Sequence, residues 1–489
     1  MRNRQKRMNV VRQELAQAET YKQWLTAAEA LDEAEGLLAW REKEDSELLH
    51  VALIREHIDQ MQQCLDWGDT HGLTRVLQES LYRHLGELSN PELYAVARTG
   101  TKYVATEFLD MVEQAMGFIC GHELPGVSES HKLSLYRDAE RVYGQPALML
   151  SGGASFGIYH LGVTRALWQQ GLLPDVVAGS SMGAIVAGGI CTRNEAELEA
   201  LFMAPEDIQL KAFRWLNPGR IWEKRHAMDP GALKQLIDAN IGKLSFREAA
   251  EHSGRTLNIS VSPTRTRQKP RLLNSLTAPD VLIDSAVMAS CAVPGLYPPV
   301  TLKARYYSGH GKTAEKSYMP TERWIDGTVH GDLPLMRMAR LHNVNRTIVS
   351  QANPHVLPFI SHYPRQNARA TLKDAGLSLL QAYATTTLEL SRSAWSSSSF
   401  APLLDQVHAM TTQNYLGDIN IQFPFQPLLY RKILSNPSEQ DLKMFIKMGE
   451  RATWPQLAMI RDQTRVSRAF VRCIDRLKVK AAAERQDVD

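Results

Sequence analysis

The chain has 489 residues, 44% hydrophobic and 22% charged, with a formal net charge of +3. That length accommodates two or three domains, and the composition is globular, not disordered or collagenous. The mild charge, without a nucleic-acid-binding motif, speaks against a nucleic-acid partner, and five cysteines never spaced as C-x-x-C speak against a disulfide framework or a zinc site.

The basic start Met1-Arg2-Asn3-Arg4-Gln5-Lys6-Arg7 is followed by no apolar signal-peptide core. No window reaches the ~18 uninterrupted apolar residues of a spanning helix. Val176 to Cys191 comes nearest, but its glycines and serines make it a buried strand and helix. The reading is a cytoplasmic protein whose membrane contact is peripheral.

Residues 1–140 are expected to be wholly helical. Val51, Ile54, Ile58, Met61 and Leu65 repeat at three- and four-residue steps, as do Leu73, Leu77, Leu81 and Leu85. A third stripe runs from Leu93 through Val96, Val104, Phe108 and Met111 to Ile119, with Asn90-Pro91 as its start signal. This block holds no titratable constellation suggesting chemistry, so it reads as a packing or docking domain.

From Ala147 to about residue 355, short strands alternate with helices. Ala147 to Leu150, Val176 to Ala178, Thr256 to Val261, Arg271 to Asn274 and Thr347 to Ser350 read as strands. Phe156 to Gln170, Ala184 to Ile190 and Val281 to Ser290 read as helices. Such alternation predicts an α/β fold with a mostly parallel sheet between helical layers. Ser308 to Thr313 reads as a surface excursion.

Residues 356–489 read as a mostly helical C-terminal region, with a turn at Ser396 to Ser399 and a late strand in Tyr415 to Ile421. Its last helix carries Arg461, Arg465, Arg468, Arg472 and Arg476 on one stripe and Val466, Phe470, Ile474 and Leu477 on another. The arginines suit either anionic headgroups or the solvated face of a packing helix. The second is preferred, since such stripes are common on ordinary surfaces.

Three motifs carry the chemistry. Gly179-Ser180-Ser181-Met182-Gly183 joins a strand to a helix as G-x-S-x-G, the pattern of a nucleophile elbow. Its turn projects Ser181 from a helix N-terminus, and Gly179 and Gly183 avoid collisions with neighbouring backbone. Ser151-Gly152-Gly153-Ala154 follows the first strand and opens a helix. Its outward N–H groups suit the oxyanion of a tetrahedral intermediate. A phosphate loop or a plain tight turn are the alternatives, although neither G-x-G-x-x-G nor G-K-[ST] is met.

Asp326, in Trp324-Ile325-Asp326-Gly327, is either part of a surface turn or the base for Ser181. A carboxylate of ordinary pKa, about 3.9, needs close contact and a partly dehydrated site to do that work. No histidine is an obvious triad member. His160 reads as a packed helix residue; His330, near Asp326 in sequence, is only a lesser candidate for an accessory site residue.

The order of glycine loop, G-x-S-x-G and Asp-Gly resembles the patatin-like lipid acyl hydrolases. The resemblance implies a Ser181–Asp326 dyad and an oxyanion loop at Gly152, Gly153 and Ala154. Two positions depart from the family loop G-G-G-x-R-G: Ala154 replaces its third glycine and Phe156 its arginine. Backbone donors survive the first change, whereas the second removes a side chain that could hold a phospholipid headgroup.

A narrower resemblance joins Ser151 to Gly157, His160 to Val163, Ala289 to Leu296 and Ser350 to His355. These stretches are similar to the patatin-domain triacylglycerol lipases of the sugar-dependent type, which also carry a helical N-terminal extension. The acyltransferase motif H-x-x-x-x-D of some members is absent here.

The implied function is hydrolysis of long-chain lipid esters, triacylglycerol foremost, without metal or organic cofactor. The implied partners are a lipid ester substrate and a peripheral membrane or lipid-droplet surface. A phospholipase or lysophospholipase, an acyltransferase using the same serine, and a catalytically silent lipid-binding module are the alternatives. Oligomeric state is left open.

Overall fold

The computed structural model describes residues 2–124, 126–265, 268–307, 313–328, 333–354, 356–357 and 415–486. Ser308 to Lys312, His330, His355 and Ser396 to Ser399 lie outside the described residues. The chain forms two compact units. One comprises Met1–Pro146, His342–Arg346 and Trp454–Asp489, the other Ala147–Leu341 and Thr347–Thr453. The region beyond residue 355 is thus divided between them.

The first unit contains α1 (Arg2–Gln17), α2 (Tyr21–Glu35), α3 (Leu37–Glu42), α4 (Val51–Trp67), α5 (Thr70–Leu88), α6 (Tyr103–Gly121) and α7 (Glu129–Tyr143). The helices Leu457–Gln463 and Arg465–Gln486 complete it. Ile54, Ile58 and Met61 of α4 join Leu73 and Leu77 of α5 and Phe108 and Val112 of α6 in one core. Val466, Phe470, Ile474 and Leu477 belong to the same core, so the apolar stripe of the last helix is buried as its spacing predicts. Tyr136 meets Phe470 edge-on, with ring centroids 6.3 Å apart. Arg465 pairs with Asp110 and Glu113, each at 2.5 Å, and Arg472 also pairs with Glu113. These two arginines therefore face carboxylates of α6.

The helix expected from Leu93 to Ile119 is interrupted. Pro91–Tyr94 is a single 3-10 turn capped by Asn90, and α6 begins only at Tyr103. The cause lies on α2. Asp32, fully buried, accepts from the N–H groups of Arg98 and Thr99, at 2.9 and 3.0 Å, and from the Arg98 guanidinium at 2.9 Å. A helix through this stretch would commit those N–H groups to carbonyls four residues back and strand the carboxylate, at a cost of several kcal/mol.

The second unit is organised by a sheet. Its strands are β1 (Gln145–Leu150), β2 (Val176–Gly179), β3 (Thr256–Pro263) and β4 (Arg271–Leu273), then, beyond a separate hairpin of β5 (Lys303–Tyr307) and β6 (Thr313–Ser317), β7 (Trp324–Asp326), β8 (Val344–Gln351) and β9 (Ile419–Gln422). The order is β4-β3-β2-β1-β8-β9, with β7 also paired to β3. β1, β2 and β3 run parallel, as do β8 and β9, while β4 and β7 are antiparallel to β3. The described fold is therefore α/β with a mostly parallel sheet, as the alternating pattern predicts.

Helices α8 (Tyr159–Gln169), α9 (Met182–Cys191), α10 (Glu195–Met203), α11 (Pro218–Lys224), α12 (Pro230–Ile241), α13 (Phe246–Ser253) and α14 (Ile283–Ser290) also belong to this unit, as does Glu439–Thr453. Asn194 and Ser245 close capping boxes with Glu197 and Glu248, which fixes where α10 and α13 begin. Buried parallel strands read as continuous apolar runs because both faces are covered, and β2 is buried throughout.

Candidate active site

β1 and β2 pair with Leu150 beside Gly179, so the glycine loop and the serine elbow leave adjacent parallel strands at one level. Such carboxyl ends are where open α/β sheets build sites. Ser181 has φ 52° and ψ −123°, a conformation that L-residues rarely adopt. Its carbonyl accepts from Ala184 and Ile185 N–H and so starts α9. A Cβ on Gly183 would stand 2.2 Å from the Leu150 carbonyl oxygen, and one on Gly179 2.4 Å from that of Gly183. Both elbow glycines are therefore required by close backbone approach.

The strained turn is held from behind. Ser181 N–H donates to Ser290 Oγ at 3.0 Å, and Ser290 Oγ–H donates to the Ser260 carbonyl at 2.8 Å. Ser290 is fully buried at the end of α14. A serine in an apolar helix carries no recognisable chemical signature, and only the fold gives it this place.

The glycine loop lies against the elbow. A Cβ on Gly152 would sit 3.5 Å from Ser181 Cβ, 3.0 Å from Asn353 Oδ1 and 2.7 Å from Thr328 Cγ2. Gly152 thus lays its backbone against the elbow, with no room for a side chain. The N–H groups of Gly153 and Ala154 donate to nothing among the described residues, and they open the 3-10 turn Ala154–Ile158. Ala154 takes φ 48°, a left-handed conformation that costs alanine about 1 kcal/mol more than glycine. Phe156 points into the core, stacked on Phe423 at 4.6 Å and edge-on to Tyr430 at 5.6 Å. Its side chain offers nothing to a headgroup.

Asp326 ends β7 opposite Val261 of β3 and is fully buried. Its Oδ1 accepts from Thr328 N–H at 2.8 Å, while Oδ2 accepts no hydrogen bond of ordinary length. Burial pushes its pKa up to about 6, opposed in part by Thr328 and by the Ser181 hydroxyl. The Ser181 hydroxyl is thus one of the groups acting on the Asp326 carboxylate. The Cys291 thiol is a further neighbour of Ser181, and burial raises its pKa well above the usual thiol range.

His160 is also fully buried. Its Nε2 lies 3.0 Å from the Ser151 carbonyl and its Nδ1 2.7 Å from Ser350 Oγ. Burial pulls its pKa down to about 4, so it stays neutral at pH 7. It ties the ends of β1 and β8 together and does not bond to Ser181 or Asp326.

A narrow apolar pocket begins at Ser181. Ile185, Phe213, Leu233, Leu236, Val293 and Leu296 are among the residues that line it. Among the described residues no group of three or more His, Cys, Asp or Glu side chains is arranged to hold a metal ion. No helix among them is long and apolar enough to cross a membrane.

Residues 148–339 match the family of patatin-like phospholipases, and residues 1–141 match a domain of unknown function, DUF3336. Triacylglycerol lipase ptl3 of Schizosaccharomyces pombe is 32% identical, covering 96% of this chain and 99% of its own length. Triacylglycerol lipase SDP1L of Arabidopsis thaliana is 31% identical over 95% of this chain, and triacylglycerol lipase 4 of Saccharomyces cerevisiae 30% over 94%. This chain spans 59% and 52% of those two longer proteins. By the elbow, the glycine loop, the buried aspartate and these matches, the chain belongs to the patatin-like phospholipase family.

Proposed function

We propose that this protein is a serine hydrolase of long-chain lipid esters, with triacylglycerol as its principal substrate, working through a Ser181–Asp326 dyad. The carrying observation is a fully buried aspartate, with a pKa pushed up to about 6, beside a serine on a strained elbow. At pH 7 such a carboxylate is mostly ionised, yet more basic than a solvated aspartate.

In the proposed reaction Asp326 Oδ2 takes the Ser181 Oγ proton as Oγ bonds to the ester carbonyl carbon. The carbonyl oxygen becomes an oxyanion beside the N–H groups of Gly153 and Ala154, where each donor is worth about 3 kcal/mol. Collapse breaks the bond to the alcohol, which leaves with the proton from Asp326. Water then gives a proton to Asp326 and its hydroxide to the acyl carbon, and the bond from that carbon to Ser181 Oγ breaks as Asp326 returns the proton to Oγ, releasing the fatty acid and restoring both residues. The apolar pocket receives the acyl chain, and Phe156 leaves no cation at its position for a phosphate headgroup.

The reading is tested by incubating purified protein with emulsified triacylglycerol and with phospholipid vesicles, and measuring released fatty acid. Faster release from triacylglycerol is expected. Release from phospholipid alone would overturn the substrate assignment, and release from neither would overturn the hydrolase.

A further inference from the structure

The segment between the acyl pocket and α12 is built unlike an ordinary surface loop. Residues 214–229 fold back on themselves around α11: Leu216 N–H donates to the Ala227 carbonyl at 2.9 Å, and Asp229 N–H to the Arg214 carbonyl at 2.8 Å. The base is pinned, since Ala227 and Met228 N–H donate to the Gly295 and Leu296 carbonyls, each at 3.0 Å. Phe213 is clasped by Asn436, which accepts from its N–H and donates to its carbonyl, both at 2.8 Å. Phe213 and Leu296 also line the pocket at Ser181. The hairpin is thus fixed to the pocket, not loosely tethered to it.

What the hairpin presents is two tryptophans and a concentration of positive charge. Trp222 is 90% exposed and Trp215 56% exposed. Between Lys211 and Arg225 there are five cations and a single carboxylate, Glu223. Arg214 faces Asp229 at 3.5 Å, while Lys211, Arg220, Lys224 and Arg225 pair with no carboxylate among the described residues. Indole rings with a polar edge partition to the boundary between hydrocarbon and water. Lysine and arginine lay their stems along that boundary and keep their charges among anionic headgroups.

We infer that the Lys211–Arg225 hairpin seats the protein on an anionic phospholipid surface and turns the mouth of the acyl pocket towards it. The charge is complementary to that surface, and the tryptophans match its depth. The docking stands on these residues alone; its purpose, delivery of lipid to Ser181, rests on the hydrolase reading above.

The test is sedimentation of the full-length protein with vesicles of phosphatidylcholine, with and without phosphatidylserine, alongside hydrolysis of a water-soluble short-chain ester. Binding is expected to rise with phosphatidylserine and to weaken with added salt. Arg220→Gln combined with Lys224→Gln should weaken binding to the anionic vesicles by roughly tenfold or more. Trp222→Ala should weaken binding to both vesicle types, and both variants should keep soluble-ester hydrolysis, which also reports their folding. Parental binding by the variants, indifference to phosphatidylserine, or hairpin-dependent capture of a soluble protein with no vesicle binding would each overturn the proposal. Hairpin-dependent binding without ester hydrolysis would support the docking and overturn the hydrolase reading instead.

Discussion

The Ser181 N–H and the Ser290 hydroxyl meet at 3.0 Å, so the backbone of the elbow is tied to the last turn of α14 and through it to the Ser260 carbonyl of β3. Ser290→Ala removes that tie without altering the dyad or the glycine loop. An N–H left unpaired in a partly dehydrated site costs about 1–3 kcal/mol. The expected outcome is a tenfold or greater fall in kcat with KM little changed, and a lower unfolding midpoint. Steady-state kinetics on a soluble ester together with thermal unfolding measure both. Unchanged kcat would show that the elbow holds its geometry without Ser290.

Gly183→Ala tests the close approach itself. The added Cβ would meet the carbonyl oxygens of Leu150 and Ser151 at 2.2 and 2.5 Å, and neither can move without shifting β1. Destabilisation of about 3 kcal/mol or more is expected in chemical denaturation, with loss of hydrolysis.

Asp326→Asn should separate stability from activity. A carboxylate whose folded pKa lies above its unfolded value contributes stability that is complete below the unfolded pKa and is lost as pH rises through the folded pKa. With the folded value at about 6, the wild type loses that contribution between about pH 4 and pH 6. The neutral amide does not ionise. The variant should therefore be more stable than wild type at pH 8, by on the order of 1–3 kcal/mol, with the gain vanishing towards pH 4. Unfolding midpoints of the two proteins across that range check the sign.

Leu236 is buried on α12 and lines the pocket that starts at Ser181. Leu236→Trp fills space that the acyl chain would occupy. The expected change is a tenfold or greater rise in the preference for short over long acyl esters, since each excluded methylene is worth about 1 kcal/mol or more. Hydrolysis of a chain-length series reads it directly.

Much of the site was legible because its residues fall in short motifs. The G-x-S-x-G spacing, the apolar run of β2 and the glycines after β1 are visible in the sequence, and Gly179 is fixed by Gly183 four residues on. The partners that require Gly183 and Gly152, namely Leu150, Thr328 and Asn353, lie far along the chain and only the fold brings them there. The packing role of His160 was also legible, from its place on a helix behind the glycine loop. What escaped depends on partners far along the chain. The break between Leu93 and Ile119 is set by Asp32 on another helix, while periodicity sees only the apolar stripe. The last helix announced a buried face, but not that it shares a core with α6 and α7. Ser290 lies in the Ala289 to Leu296 stretch of the resemblance, but its hold on the elbow comes from the fold, and no motif marks the hairpin around α11.

The most direct test of the dyad is labelling of Ser181 by a fluorophosphonate, followed by mass spectrometry as a function of pH, in wild type and in Asp326→Asn. A wild-type labelling rate that climbs through about pH 6 and then levels, with the variant slowed by at least about a hundredfold at every pH, is the predicted result. Equal labelling of wild type and variant, or modification at a serine other than Ser181, would contradict it.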